Sequence, residues 1–99
     1  MKRVFVRYRV KTDRAAENEA FVKGVFEELE RAAPSGLRYM SLKLADGVTF
    51  VHIMEADAGA TLTDLPAFKA FSERIRDRCD ELPIAAEFAP VGNYRMFAL

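Results

Sequence analysis

The chain has a single cysteine, Cys79, which excludes an intrachain disulfide and any zinc site built on thiolates. A lone thiol also makes the reducing cytoplasm the expected compartment. Histidine is equally scarce. His52 stands alone, and one imidazole without acids gathered beside it gives no reason to expect a metal. Net charge is missing too: 15 basic residues balance 15 acidic ones, which argues against a dedicated binder of nucleic acid or membranes. The balance is uneven, because Lys2, Arg3, Arg7, Arg9, Lys11 and Arg14 are opposed only by Asp13 at the start of the chain. No apolar run nears the roughly 18 residues of a membrane span, and MKRVFVRYRV breaks its apolar residues with arginines, unlike the core of a secretory leader. No repeat, linker or low-complexity tract divides the 99 residues, so 1–99 is expected to form one domain. So small a domain buries a modest share of its surface, and pairing with a second copy would help it.

What is present is regular patterning. Residues 3–10 alternate, with Val4, Val6, Tyr8 and Val10 on one face and Phe5, Arg7 and Arg9 on the other, which predicts a strand. Thr12 or Asp13 is placed to cap a helix whose apolar stripe is Val22, Val25, Phe26, Leu29 and Ala33, and Pro34-Ser35-Gly36 ends it. Asp46-Gly47 between the alternating runs 37–44 and 48–56 is a hairpin signal, read as a type I′ turn. That register puts 44 opposite 49 and Arg38 opposite Glu55, a favourable cross-strand pair. Thr63 or Asp64 precedes a second helix with Pro66 in its first turn and Phe68, Phe71, Ile75 and Cys79 as its buried stripe. Leu82-Pro83 is read as its end. A last strand starts near Ile84, breaks at Pro90-Val91-Gly92 and resumes as an extended segment from Asn93 to Phe97.

The order strand–helix–strand–strand–helix–strand predicts a ferredoxin-like α+β fold, an antiparallel sheet with both helices on one face. The purely apolar strand faces are expected under the helices: Val4, Val6, Met40, Leu42, Val51, Ile53, Ala86 and Phe88. The other face then collects Phe5, Arg7, Arg9, Tyr39, Ser41, Lys43, Phe50, His52, Met54 and Glu87. Such a mixed surface is expected to be covered by a second subunit or to hold a ligand.

On this pattern the chain resembles the dimeric α+β barrel superfamily, and within it the antibiotic-biosynthesis-monooxygenase type. The local carriers are Leu65-Pro66-Ala67-Phe68-Lys69-Ala70-Phe71 and Val91-Gly92-Asn93-Tyr94-Arg95-Met96-Phe97. The resemblance implies a homodimer in which two sheets close around a cavity, with the final segment, including Val91, Tyr94, Met96 and Phe97, reaching the partner. It also implies small-molecule chemistry of the cofactor-independent monooxygenase kind. The chain departs from the pattern in having no tryptophan, a residue on which such oxygenases and haem-degrading relatives commonly rely.

His52, Tyr39 and Arg7 are the expected catalytic set. His52 is the one side chain whose ordinary pKa allows proton exchange near neutrality, Arg7 offers a rigid fork of donors to an anionic substrate, and Tyr39 adds a phenol. Phe5, Arg9, Phe50, Met54 and Tyr94 are the expected substrate contacts, with no cofactor and no metal. Each has a plainer reading: His52 packed at a subunit interface, Arg7 or Arg9 paired with Glu87, the tyrosines packing and donating one hydrogen bond, Cys79 a small core residue. The function expected is a homodimer binding a small organic molecule, as a monooxygenase-like enzyme or as a non-catalytic binding protein. RNA-recognition domains share the topology, and Phe50-Val51 matches part of their third-strand signature. Asp46 replaces its basic residue, however, and Val48 and Ile53 replace aromatics.

Overall fold

Alternation of branched and aromatic residues makes Lys2–Val10 the strand β1. The structure, a computed structural model, describes residues 1–96, so the expected partner contact of Phe97 lies outside the described residues. A short 3-10 turn, Thr12–Arg14, leads into α1, Ala15–Ala32. Neither Thr12 nor Asp13 caps it through a side chain; Arg14 instead pairs forward with Glu17 at 2.8 Å. Its buried stripe is Asn18, Val22 and Val25, the spacing of one helical face. The helix stops at Ala33, left-handed at φ 42°, ahead of Pro34.

Strands β2, Leu37–Lys43, and β3, Thr49–Ala56, pair with the expected register, Ser41 opposite His52 and Arg38 opposite Glu55. Arg38 Nε lies 2.9 Å from Glu55 Oε1. The turn itself differs from expectation. Gly47 has positive φ (77°) but Asp46 does not, so no type I′ turn forms. Residues 45–48 are a loop closed by the Gly47 N–H on the Leu44 carbonyl at 3.0 Å. The Asp46 carboxylate accepts from the Val48 and Thr49 N–H groups at 3.0 and 2.9 Å. A four-residue loop centred on the same dipeptide keeps the register of the two-residue turn, which is why the pairing survives.

The second helical region is shorter than its sequence pattern. It splits into α2, Pro66–Ser72, and α3, Ile75–Arg78, around Arg74 at φ 61°. No side chain of Thr63 or Asp64 caps α2; Glu28 of α1 accepts the Ala67 N–H at 2.7 Å. Strand β4, Cys79–Glu87, therefore begins before Pro83 rather than after it. β4 is an edge strand and its pairing with β1 shifts register between Arg7 and Arg9; an edge and a bulge are where proline is tolerated. Residues 93–96 do not resume as a strand. Arg95 takes φ 59° and the Met96 N–H bonds Asn93 Oδ1 at 3.0 Å.

The sheet order β2-β3-β1-β4, antiparallel throughout, is the ferredoxin-like α+β arrangement. Its faces, however, are assigned the other way round for the hairpin. Val6 pairs with His52 and Tyr8 with Phe50, and paired residues project to the same side of a sheet. The β1 side under the helices carries Tyr8 and Val10, so Phe50, His52 and Met54 go under with them, and Tyr39 and Ser41 follow through β2. Met40, Leu42, Val51 and Ile53, expected inside, lie on the open face. Ala86 sits there too, opposite Phe5, while Glu87 turns to the helix side opposite Val4; Phe88 lies beyond the strand and outside the core. Hairpin register decides which residues share a face. Only pairing to β1 decides which face is covered. The core is Tyr8, Val10, Val22, Val25, Phe50, Phe71 and Cys79.

Candidate functional site

The covered face carries a row of rings. His52 on β3 stacks between Tyr8 of β1 (centroids 5.3 Å) and Tyr39 of β2 (5.7 Å), with interplanar angles of 12° and 4°. Phe26 of α1 continues the row beyond Tyr39 at 5.3 Å. Strand alternation sets these rings side by side on neighbouring strands, and the helices close over them.

Each polar atom in the row is bonded. The Tyr8 hydroxyl lies 2.8 Å from His52 Nε2 and accepts from Asn18 Nδ2 at 2.9 Å. On the other side of the imidazole, Nδ1 meets the Tyr39 hydroxyl at 3.0 Å and Ser41 Oγ at 2.5 Å. The Asn18 amide is fixed in turn, since Arg78 Nε donates to its Oδ1 at 3.1 Å. That leaves Nδ2 for Tyr8, so the phenol oxygen already accepts one bond and its own proton points at Nε2. The network thereby assigns the neutral Nδ1–H tautomer to His52, donating toward Ser41 and Tyr39.

Burial sets the protonation states. His52 is 4% exposed, and desolvation lowers its pKa to about 4, so the ring is neutral at physiological pH. The same cause raises Tyr39 to about 12 and pushes Tyr8 further above the usual phenol value. Arg78 is the only charge in the network. It is 1% exposed, donates to the Phe71 carbonyl at 2.6 Å, and lies 4.6 Å from the Phe21 ring centroid. Burial lowers its pKa, yet a guanidinium remains protonated. A negative charge developing on Tyr8 would face Asn18 and, one bond further, this cation.

A cavity of about 920 Å³ opens against the row. Val4, Val6, Tyr8, Tyr39, His52 and Met54 form its sheet wall; Phe68, Phe71 and Ile75 form its helix wall, with the 57–63 loop beside them. Lys2 and Glu87 also reach its lining. Apolar walls with a few convergent polar groups are the usual make-up of a small-molecule site. Among the described residues no group of three or more His, Cys, Asp or Glu side chains is placed to hold a metal ion.

The sequence-derived set is thus divided. Tyr39 and His52 come together and Met54 lines the same cavity. Phe50 is buried beneath the helices, stacked on Tyr8 at 5.7 Å. Arg7, Phe5 and Arg9 lie on the opposite, open face, where Arg9 pairs with Glu81 at 3.4 Å rather than with Glu87. Tyr94 is 81% exposed and away from the cavity lining. With Phe50 covered, the open face also lacks the third-strand aromatic that an RNA-stacking platform needs. Sequence reasoning missed Asn18 and Arg78 as members of the site. Both had a signal: Asn18 falls on the Val22–Val25 stripe and Arg78 on the Phe71–Ile75 stripe, polar groups at positions that otherwise read as core.

No protein-family model and no curated protein sequence matches the chain. Solved structures do. An antibiotic biosynthesis monooxygenase superposes with a TM-score of 0.73 at 18% identity, over 93% of this chain and 100% of that one. SnoaB, a cofactor-independent oxygenase from Streptomyces nogalater, in a mutant form, gives 0.66 at 20% identity over 93% and 95%. A protein of unknown function from Nitrosomonas europaea gives 0.69 at 20% identity over 94% and 91%. The fold is that of antibiotic-biosynthesis-monooxygenase-like proteins. Among the described residues no helix is long and apolar enough to cross a membrane.

Proposed function

We propose that the chain binds a small, largely apolar organic molecule bearing an acidic hydroxyl in the cavity beneath α2, and removes a proton from it at Tyr8 and His52. The observation that carries this is the termination of an apolar cavity at a neutral, fully oriented Tyr8–His52–Tyr39 set with a buried cation behind it. Deprotonation is the step such a set supports, and a cofactor-independent monooxygenase is the enzyme class it fits; SnoaB, of the same fold, is described as a cofactor-independent oxygenase. A non-catalytic binding protein is the second reading, favoured by one fact: both nitrogens of His52 already have partners inside the protein. The lone Cys79, buried in the core, is consistent with a cytoplasmic protein.

Calorimetric titration with 1-naphthol separates these readings from no binding at all. Binding to the wild type that Phe71→Trp abolishes, by filling the cavity, is the expected result. Oxygen uptake on the bound phenol would then mark the enzyme, and binding without turnover of any phenol tried would leave the binding protein. Heat of binding unchanged in the Phe71→Trp variant would sink the cavity assignment.

The partner is a second copy. Phe5, Met40, Leu42, Ile53 and Ile84 leave an apolar surface on the open face, with Ile84 74% exposed. Sheets pack face to face through such surfaces, and a homodimer covering them keeps each cavity within its own subunit. One copy has a radius of gyration of 13.7 Å, and a compact dimer should give about 16 Å or more in solution scattering. Phe5→Asp should return the particle to the single-copy value with the fold intact. A wild type at the single-copy value at micromolar concentration would remove the dimer.

A further inference from the structure

The main cavity is lined by His52 and by both tyrosines that bond it; a second opening lies beside Ser41, the other partner of its Nδ1. Ser41 Oγ bonds His52 Nδ1, and Ser41 also lines a shallow groove between β2 and α1 together with Lys23, Phe26, Glu27 and Glu30. Ser41 is half-buried at the edge of the sheet, whereas Glu27, Glu30 and Lys23 are exposed. A hydrogen-bonded line therefore runs from the cavity wall at Tyr8, through the imidazole, to a groove open to solvent. Tyr39 also touches Nδ1 and lines both the main cavity and a second groove between α1 and β2. It is the rival exit, and a Tyr39→Phe variant separates it from Ser41.

We propose that Tyr8, His52 and Ser41 form a proton relay that carries a proton from the cavity to the α1–β2 groove, with Ser41 as the exit residue. This deepens the reading of the cavity as a deprotonation site and rests on it for its purpose. Each transfer is a proton hop with no change of oxidation state. The bound hydroxyl gives its proton to the Tyr8 oxygen as Tyr8 gives its own to His52 Nε2. His52 releases the Nδ1 proton to Ser41 Oγ, and Ser41 passes its hydroxyl proton to water in the groove. The ligand is left as an anion facing Tyr8, and His52 ends as the Nε2–H tautomer. Return of one proton along the same line, when the product is protonated, resets it.

A relay explains how a ring held neutral by burial serves in proton transfer: it never stores the charge. The ionisable and charged groups around the line are Tyr8 on β1 with Cys79 of β4 nearby, Tyr39 on β2, Arg78 behind Asn18, and Glu27, Glu30 and Lys23 on α1 at the exit.

The test needs no ligand. His52 is the only histidine, so its imidazole resonances in 15N-labelled protein carry no assignment ambiguity, and Nδ1–H exchange with water can be measured at neutral pH. Ser41→Thr and Ser41→Val have the same shape and differ by the hydroxyl, and both suit a strand. Exchange should stay near the wild-type rate in Ser41→Thr and fall in Ser41→Val by about 10- to 100-fold, the rate equivalent of one lost hydrogen-bonded path. Ser41→Ala, hydroxyl-free and smaller, should slow it as well, and Tyr39→Phe should not. The proposal is overturned by an unchanged rate in the Ser41→Val variant, by slowing that follows Tyr39→Phe instead, or by an Nε2–H tautomer in the resting wild type. Failure of 1-naphthol to bind would remove the cavity reading while leaving these exchange rates as they are, so the two failures are distinguishable.

Discussion

Arg78→Ala should destabilise the fold by about 3–5 kcal/mol, a large part of the roughly 5–15 kcal/mol that holds a domain of this kind together. Three losses combine. The guanidinium leaves the Phe71 carbonyl and Asn18 Oδ1 without their donors, each a buried acceptor whose orphaning costs about 1–3 kcal/mol. Its stem and planar head, packed against Phe21 and Phe71, leave a void that the neighbours close only in part. A cation near the last carbonyls of α2 is also lost, and with it a favourable interaction with that helix end. Arg78→Lys keeps the charge but lacks the fork that serves the amide and a carbonyl together, so it should recover only part of the loss. Urea denaturation of both variants decides it. A loss under about 1 kcal/mol for alanine would show that water replaces the guanidinium without penalty.

Stability should also fall as the pH drops from neutral toward 4, by roughly 2 kcal/mol at pH 5 and about 3 kcal/mol by pH 4, through His52 alone. The sign follows from burial. In the unfolded chain the imidazole has its ordinary pKa of about 6.5, whereas in the folded protein it is lowered to about 4. Between those values the unfolded state binds a proton that the folded state refuses, so acid favours unfolding. Above pH 6.5 the contribution is fully present, and it is lost as pH falls through the folded value. The carboxylates held down by ion pairs, such as Glu55 beside Arg3 and Arg38, act in a lower window, below their unfolded pKa of about 4.3. Denaturation midpoints at pH 7, 6 and 5 should slope for the wild type and be flat for His52→Asn. An equal slope in both would place the titrating group elsewhere.

The order of the main elements, the first helix and the hairpin register were legible because they rest on local chemistry. Pro34-Ser35-Gly36 stops α1, Pro66 starts α2, and an apolar alternation centred on Asp46-Gly47 pairs Ser41 with His52 whatever the turn's dihedral angles. The covered face was not legible, since it depends on β1 meeting β3 across the intervening α1 and β2, about half the length of the chain. The expectation that the more apolar face goes inward failed at Met40, Leu42, Val51 and Ile53. The face that went in carries Tyr39, Ser41 and His52, whose polar atoms satisfy one another. Hydropathy counts atoms removed from water, but it does not see that a bonded polar group can be buried at small net penalty. Arg78 eluded the reading for a related reason. Its partners are a main-chain carbonyl of α2 and an amide on α1, and no pattern of charges along the sequence announces either.

Pro83 and the irregular pairing of β4 with β1 have a consequence for how copies of this chain associate. A regular, unprotected border strand offers a row of free N–H and C=O groups on which another chain can zip, and continuous filaments grow that way. Here one border has a residue with no N–H to offer beside a bulge that disturbs the ladder. The other border, β2, carries Arg38 and Lys43, and charged side chains resist in-plane stacking. Sideways growth is discouraged at both borders, so the proposed face-to-face dimer has no edge-to-edge competitor. Such a dimer would close on itself after two copies, and the strand irregularity that opposes fibre formation is the one that the sequence disguises as the end of a helix.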